Sequence, residues 1–464
     1  MGHCDLTVPT CGVLLGSWAG RRPAVRHTFK PMLLDLVYLL AVLAALPWVA
    51  WRKLSGGRPV AAPWTRFTGA IAPPPASQSP RVWLHGVSVG EVQLLAGLAA
   101  EIRRQAEAAG GCIDCVVSSS TTTGLEVARK RFGDERTFPC PLDFTWAVDR
   151  VLDRTRPDLL VLGELELWPH LLARTARRGI PIVVANARMS PRSAAGYARI
   201  APLVRRMLAH TTAVVARSPE DGARFTALGA PHVKVAGSMK FDGVRGDRAA
   251  PEIARLRTLA GFSDEAVVFL AGSTQAPEES LALEAFRAAE QACPQLRLVI
   301  VPRHVERTAE IAALLDRSGV RWQRRSERER TGFDAAARVL LVDTTGELGW
   351  WWGTATIAFV GGSLDGKRGG QNMLEPAAYG VAVCFGPHTR NFAREVETLL
   401  AADAARVVAD GAALRRFVDR CLAEPGWAAA LGARAAATVE AHRGATALTA
   451  REIIERLTLG RMTR

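Results

Sequence analysis

The chain has 464 residues, a length that favours two domains over one, and its 48% hydrophobic content is enough for two large cores. A formal net charge of +14 calls for an acidic partner: nucleic acid, an anionic membrane face or a phosphorylated substrate. Aromatic residues make up only 6% and no basic–aromatic repeat occurs, so nucleic acid is set aside. The eight scattered cysteines exclude a disulfide framework.

Residues 1–31 mix Gly, Pro, Cys and basic residues without periodicity, and Met32 opens a hydrophobic segment directly. That stretch is expected to be a disordered extension, or the product of a start codon chosen too far upstream. Leu36 to Trp51 ("LVYLLAVLAALPWVAW") is uncharged and is followed by Arg52 and Lys53. Residues 32–53 therefore read as a membrane anchor. It falls just short of the roughly 20 apolar residues of a full crossing, so it either spans or lies on the bilayer. The basic residues behind it place the body on the cytoplasmic side. "APPPASQSP" (72–80) reads as a Pro/Ser connector that keeps the anchor apart from the folded body.

From residue 81 short apolar runs alternate with helical stretches. The candidate strands are "RVWLHG", "CIDCVVSSS", "DLLVLGE", "PIVVANA" and "TAVVARS", spread over residues 81–240. The lone "CIDC" (Cys112 to Cys115) has no second pair at zinc-site spacing and reads as strand thiols. The pattern pauses over residues 241–264. It resumes in 265–464 with "AVVFLAGST", "LRLVIVPRH", "RVLLVDT", "ATIAFVGGS" and "VAVCFGPH". Continuous apolar strands between helices predict two α/β units, each a parallel sheet covered on both faces. Ligands bind beyond the carboxyl ends of such strands. Polar clusters recur there in both units, which predicts a cleft with one unit on each side.

Arg303 and His304 emerge at one strand end, and an arginine fork suits phosphate or carboxylate. Gly346 in "DTTGEL" lets backbone approach a ligand. In "GGSLDGKRGGQNMLEPAAYG" a glycine-rich loop runs into a helix starting near Asn372 to Glu375. Glu375 would repel phosphate there and fits better as an acceptor for the sugar hydroxyls of a nucleotide. Glu164 and Glu166 in "GELELWP" are two apart, so in extended chain they point to opposite faces, one for ligand and one structural. Glu91 in "HGVSVGE" opens a helix behind a strand. A favourable helix-start carboxylate explains the glutamate, but a general base beside the cleft also explains its His-Gly-Ser-Gly setting.

Together these stretches resemble the 3-deoxy-D-manno-octulosonic acid (Kdo) transferase family over about residues 32–455: "HGVSVGE", "ELWP", "NARMSPRS", "GSMKFD", "GST..EE", "VPRHVER", "FVGGSL", "GGQNMLEPAAYG" and "FGPHTRNF". The resemblance implies a GT-B fold, two Rossmann-like domains facing a cleft. It implies a cytoplasm-facing enzyme of the inner membrane that moves Kdo from CMP-Kdo to the lipid A precursor with inversion and without a cofactor; no DxD-like motif stands at a strand end, so no obligatory metal is expected. It makes Glu91 the catalytic base. It places CMP on Pro302 and Arg303, on Gly346, Glu347 and Leu348, and on Asn372, Met373, Leu374 and Glu375. Ser88, Glu166, Lys240, Ser273 and Gln275 are further candidates, and the last helix is expected to return to the N-terminal domain. The chain departs from the family pattern at Gln275 and Gln371, where histidines are usual, and at Pro277 and Met373. Glutamine keeps hydrogen bonds but cannot gain a charge. The rival reading is a membrane-tethered nucleotide-binding protein without transfer activity, against which the retained Glu91 argues.

Overall fold

The structure, a computed structural model, describes residues 31–54 and 61–462; the stretch 1–30 of the expected extension lies outside the described residues. The chain divides into two units, Met1–Pro59 and Val60–Arg464. In the first, one helix runs from Pro31 to Leu54. Met32, Leu33, Leu36, Val37, Leu40 and Leu43 are all exposed on it, mostly at helical three- and four-residue spacing. No helix among the described residues is long and apolar enough to cross a membrane.

In the second unit the described residues form two seven-stranded parallel sheets. The N-terminal sheet holds β1 (Arg81–His85), β2 (Asp114–Ser119), β3 (Thr137–Pro139), β4 (Leu159–Gly163), β5 (Ile182–Ala187), β6 (Ala213–Ala216) and β7 (Val233–Val235). Their spatial order is β3-β2-β1-β4-β5-β6-β7. The C-terminal sheet holds β8 (Val267–Thr274), β9 (Leu296–Pro302), β10 (Trp322–Arg324), β11 (Val339–Leu341), β12 (Ile357–Val360), β13 (Ala382–Phe385) and β14 (Arg406–Val407). These lie in the order β10-β11-β9-β8-β12-β13-β14. Both are doubly wound, with the order reversing beside β1 and β8.

The central strands exist because their runs are apolar enough to be covered on both faces. Leu84 pairs with Val117 on one side and Val161 on the other, and all three are buried. The ten strands anticipated from sequence are the inner ones. The four it did not anticipate, β3, β7, β10 and β14, are the sheet edges, two or three residues each. Runs this short carry no pattern of their own and form only because a neighbour offers backbone partners.

Two parts of the domain plan, the connector and the junction, differ in detail from the sequence reading, while the last helix returns to the N-terminal sheet as expected. The Pro-rich stretch 72–80 is not a free tether: Pro74 is buried, and the Pro75 carbonyl accepts from Arg81 Nη2. Just before it, Ile71 sits in the N-terminal core and Phe67 packs edge-on to Phe144 at 5.2 Å. The junction 241–264 is split, since helix Pro251–Ala260 puts Ile253 and Leu256 into the C-terminal core. The last helix, Ala445–Met462, packs Ala450, Ile453 and Leu457 against the N-terminal sheet with Val82, Leu95 and Ile102.

Helix Pro425–Ala441 approaches the turn before β13 so closely that a Cβ on Gly432 would stand 2.0 Å from the Gly380 carbonyl oxygen. Gly→Ala in a helix interior normally gains up to about 1 kcal/mol of propensity. A backbone oxygen cannot rotate away, and overpacking costs about 1–3 kcal/mol. Gly432→Ala should therefore lower the thermal midpoint, measurable by scanning calorimetry; a raised midpoint would show that the turn gives way.

Candidate active site between the two sheets

β1 ends at His85, and a short turn leads to helix Val89–Ala108, capped by Ser88. Ser88 Oγ accepts from the Glu91 N–H at 3.3 Å and donates to Glu91 Oε1 at 2.8 Å. Glu91 Oε2 accepts from the Val87 N–H at 2.9 Å. This resembles a capping box whose return bond reaches one residue past the cap, to Val87, so the helix-start role of Glu91 is real. The same bonds fix the carboxylate at the mouth of the cleft, which Ser88 and Glu91 both line.

Beside it, Glu164 follows β4 with φ +57, a left-handed residue that ends the extended strand. The expected opposite-face arrangement of Glu164 and Glu166 therefore does not hold, because alternation needs extended backbone at both positions. Both carboxylates repel each other and Glu91. Glu164 lines the cleft and pairs with Arg188 Nε at 2.5 Å. Burial raises its pKa, against the pull of Arg188. Glu166 lies behind the lining, where burial first and then Glu91 and Glu164 push its carboxyl up to about 7, opposed by a 2.8 Å bond from Trp168 Nε1. Its Oε2 is 4.0 Å from Nε2 of His85, a fully buried imidazole whose pKa desolvation lowers to about 4.

Lys240 reaches from the junction towards the C-terminal sheet. Its Nζ is 3.5 Å from Glu395 Oε1, donates to the Asn391 carbonyl at 3.1 Å and stands 4.5 Å from the centre of the Phe392 ring. Burial lowers its pKa, with Glu395 and Glu164 opposing.

Across the cleft, the Arg303 N–H donates to the Thr274 carbonyl at 3.0 Å, tying the end of β9 to β8. The Arg303 side chain lines the cleft with Asn372 and Glu375. Glu375 accepts from Asn372 Nδ2 at 3.2 Å and Trp352 Nε1 at 3.1 Å. Burial raises its pKa, countered by these bonds and by Arg245 and Arg303. Pro302 ends β9 behind Arg303 and is outside the lining. Met373 and Leu374 are fully buried in the C-terminal core, so their side chains are not ligand contacts; only their backbone remains for that role. Gly346, with φ +87, Glu347 and Leu348 form a turn into helix Leu348–Thr354 away from the cleft lining. The Glu347 carboxylate is held by Arg325 at 2.7 and 2.9 Å and by Thr344 at 2.7 Å.

Ser273, at φ +54, and Gln275 are buried behind the lining as well. Gln275 and Gln371 converge: a Cβ on Gly362 would stand 3.5 Å from Gln275 Nε2 and 3.3 Å from Gln371 Nε2. Six charged cleft residues were not assigned from sequence: Glu101, Arg104, Arg188, Asp242, Arg390 and Arg443. Arg188 and Arg390 lie inside quoted motifs, "NARMS" and "HTRNF". Neither could be assigned because an arginine just after a strand, like Arg188, or in the short turn Arg390–Phe392 looks the same whether it faces the cleft or solvent.

The cleft encloses about 1310 Å³ and brings together strand-end residues of both sheets. An acid group with an ordered carboxylate sits on one wall, and a guanidinium beside an Asn/Glu pair sits on the other. That arrangement fits group transfer between a polar hydroxyl and an anionic, nucleotide-like donor.

Residues 64–243 match the family model described as "3-Deoxy-D-manno-octulosonic-acid transferase (kdotransferase)". A 3-deoxy-D-manno-octulosonic acid transferase of Bordetella pertussis is 35% identical over 430 residues, covering 89% of this chain and 97% of that one. One from Haemophilus influenzae is 35% identical, covering 70% of this chain and 74% of that one. Among solved structures, a UDP-GlcNAc 2-epimerase from Neisseria meningitidis bound to UDP-GlcNAc aligns with TM-score 0.53 at 12% identity, over 82% of this chain and 99% of that one. A glycosyltransferase from Rickettsia africae aligns with TM-score 0.51 at 12% identity, over 83% and 99%. These two likenesses speak for the fold alone. With its ordered Glu91 facing Arg303 between two doubly wound sheets, the chain belongs to the 3-deoxy-D-manno-octulosonic acid transferase family and is a glycosyltransferase.

Proposed function

We propose that the protein transfers Kdo from CMP-Kdo to the lipid A precursor with inversion, at the cytoplasmic face of the inner membrane. One observation carries this reading: the Glu91 carboxylate, oriented by Val87 N–H and Ser88 Oγ, opposes Arg303 and the Asn372–Glu375 pair across one cleft. In the reaction Glu91 takes the proton of the acceptor's hydroxyl as its oxygen attacks the anomeric carbon of Kdo. The bond from that carbon to the phosphate oxygen breaks on the opposite side, and CMP leaves with the electron pair. The Arg303 guanidinium meets the charge growing on phosphate. Glu375 and Asn372 suit the hydroxyls of the cytidine ribose. No step calls for a metal or a cofactor.

The rival reading, nucleotide binding without transfer, draws support from one feature. Both oxygens of Glu91 already serve the helix cap. Turnover of Glu91→Gln separates the two.

Two surfaces support a membrane location. The helix Pro31–Leu54 presents exposed Leu33, Leu36, Leu40 and Leu43, an apolar stripe suited to lying in a bilayer interface. Just beyond cleft residue Arg188, helices Pro191–Ala198 and Ala201–Leu208 expose Ile200 and Leu203 among Arg192, Arg199, Arg205 and Arg206. Apolar residues ringed by arginines suit an anionic lipid face.

Glu91→Gln should lower turnover about 100-fold or more while leaving the fold intact, since glutamine still accepts from Val87 N–H. CMP affinity should change little. Near-normal turnover would reduce Glu91 to a capping residue.

Arg303→Ala should weaken CMP by about 1.5–3 kcal/mol, the scale of one hydrogen bond to a charged group, with acceptor KM unaffected. Calorimetry with CMP checks it, and unchanged affinity would remove Arg303 from the donor pocket.

Full-length protein and a form lacking residues 1–59 should both sediment with anionic vesicles at low salt. Raising salt from 0.1 to 1 M shortens the Debye length from about 10 to about 3 Å and should release only the shortened form, because apolar burial is not screened. Equal release of both would exclude residues 31–54 as an anchor.

A further inference from the structure

Glu278 opens helix Glu278–Ala289 and is 2% exposed. Its two carboxylate oxygens each accept two backbone N–H bonds. Oε2 accepts from Gln275 at 2.9 Å and Gly362 at 2.7 Å. Oε1 accepts from Ser363 at 3.0 Å and Leu364 at 3.2 Å. Three of these donors are consecutive amides of the turn that follows β12, and Gly362 takes φ +65 to aim them. Successive amides converging in this way form a concave anion site. In this protein the anion is the protein's own.

The turn leads directly to the cleft. Gly370 N–H donates to the Gly362 carbonyl at 2.8 Å, closing the glycine-rich loop. Ser363 Oγ donates to the Val360 carbonyl at 2.6 Å and accepts from Gly386 N–H at 2.8 Å. The two residues after Gly370 are Gln371 and Asn372, both in the cleft lining. Asn372 in turn bonds Glu375. The carboxylate is thus connected to the donor side by backbone alone. It is also packed so tightly that a Cβ on Gly361 would stand 2.6 Å from Glu278 Oε2.

We propose that Glu278 is a positioning residue for the donor: an internal anion that holds the glycine-rich loop in its binding shape before any ligand arrives. This rests on the reading that Asn372 and Glu375 hold the sugar nucleotide. It has a consequence for how the donor's charges are met. The amides of this turn are occupied, so recognition of the donor's phosphate and carboxylate falls to side-chain cations such as Arg303.

The test compares Glu278→Gln with Glu278→Ala. Glutamine has the same shape but only one acceptor oxygen; in either orientation its NH₂ faces two N–H donors. Glu278→Gln should therefore raise KM for CMP-Kdo about 10-fold or more, with acceptor KM within about 2-fold. Hydrogen exchange should speed up at Gly362, Ser363 and Leu364 while amides within β8 and β12 stay protected. Glu278→Ala leaves a carboxylate-sized hole, and formate in excess should restore donor KM where chloride of equal ionic strength does not. Unchanged donor KM in Glu278→Gln overturns the proposal. So does a parallel loss for both substrates that formate fails to rescue. If Glu278→Ala does not fold, Glu278→Gln and its exchange pattern decide alone. The underlying reading fails separately: Arg303→Ala then leaves CMP affinity unchanged, whereas the exchange result at Gly362–Leu364 still stands or falls by itself.

Discussion

Asp242 lies where the chain leaves the N-terminal sheet, and both its oxygens are committed to the start of the last helix. Oδ1 accepts from Gly444 N–H and Oδ2 from Thr446 N–H, each at 2.6 Å. A carboxylate at a helix amino end meets free N–H groups and the positive end of the dipole together. Those two bonds fix where a helix from the far end of the sequence begins. Its apolar face then completes the core beneath β1, the strand that presents Glu91. Arg443 Nη2 donates to the Val244 carbonyl at 3.0 Å, and Gln105 Nε2 to the Ala447 carbonyl at 3.0 Å. The chain therefore crosses between the sheets twice, at 236–250 and at 443–445, and the crossings are bonded to each other. The geometry of the cleft depends on that closure.

The division of labour across the cleft follows from charge. One wall presents Glu91 and Glu164, with Glu166 close behind, and burial together with their mutual repulsion raises the pKa of Glu164 and Glu166. The raised pKa values reflect the cost of gathering and burying like charges on one side of the cleft. The other wall presents Arg303 and an Asn/Glu pair for polar, sugar-like groups. Between them Lys240 is held by Glu395, Asn391 and Phe392, all of the C-terminal unit, so its charge joins the walls as well as facing the cleft. The proposed transfer uses this polarity, with a proton acceptor on one wall and a fixed cation on the other.

The helix Pro31–Leu54 and the arginine-flanked Ile200 and Leu203 carry the membrane part of the proposal in different ways. In that proposal the first contributes apolar burial, which salt does not weaken, and the second contributes mainly charge, which salt screens. The overall +14 charge adds a diffuse attraction without a defined site.

Local pattern in the sequence determined the inner strands, the doubly wound class and the strand ends where chemistry collects, because a run buried on both faces must be apolar along its whole length. It determined Glu91 as both cap and candidate base, since Ser88 and Glu91 are three residues apart and meet in any helix start. The motifs also carried the family resemblance. Tertiary structure alone decided the rest. The four edge strands form only against neighbours. The orientation of Glu164 turns on one left-handed φ, which no two-residue alternation encodes. The Pro-rich stretch 72–80 packs against the body because Arg81 and the buried Pro74 give it partners. The nest around Glu278 joins residues 84 apart in sequence, and the tie from Asp242 joins residues 202 apart. A carboxylate's partners across such distances are fixed by how the sheets and helices pack, and no local pattern of residues records that packing.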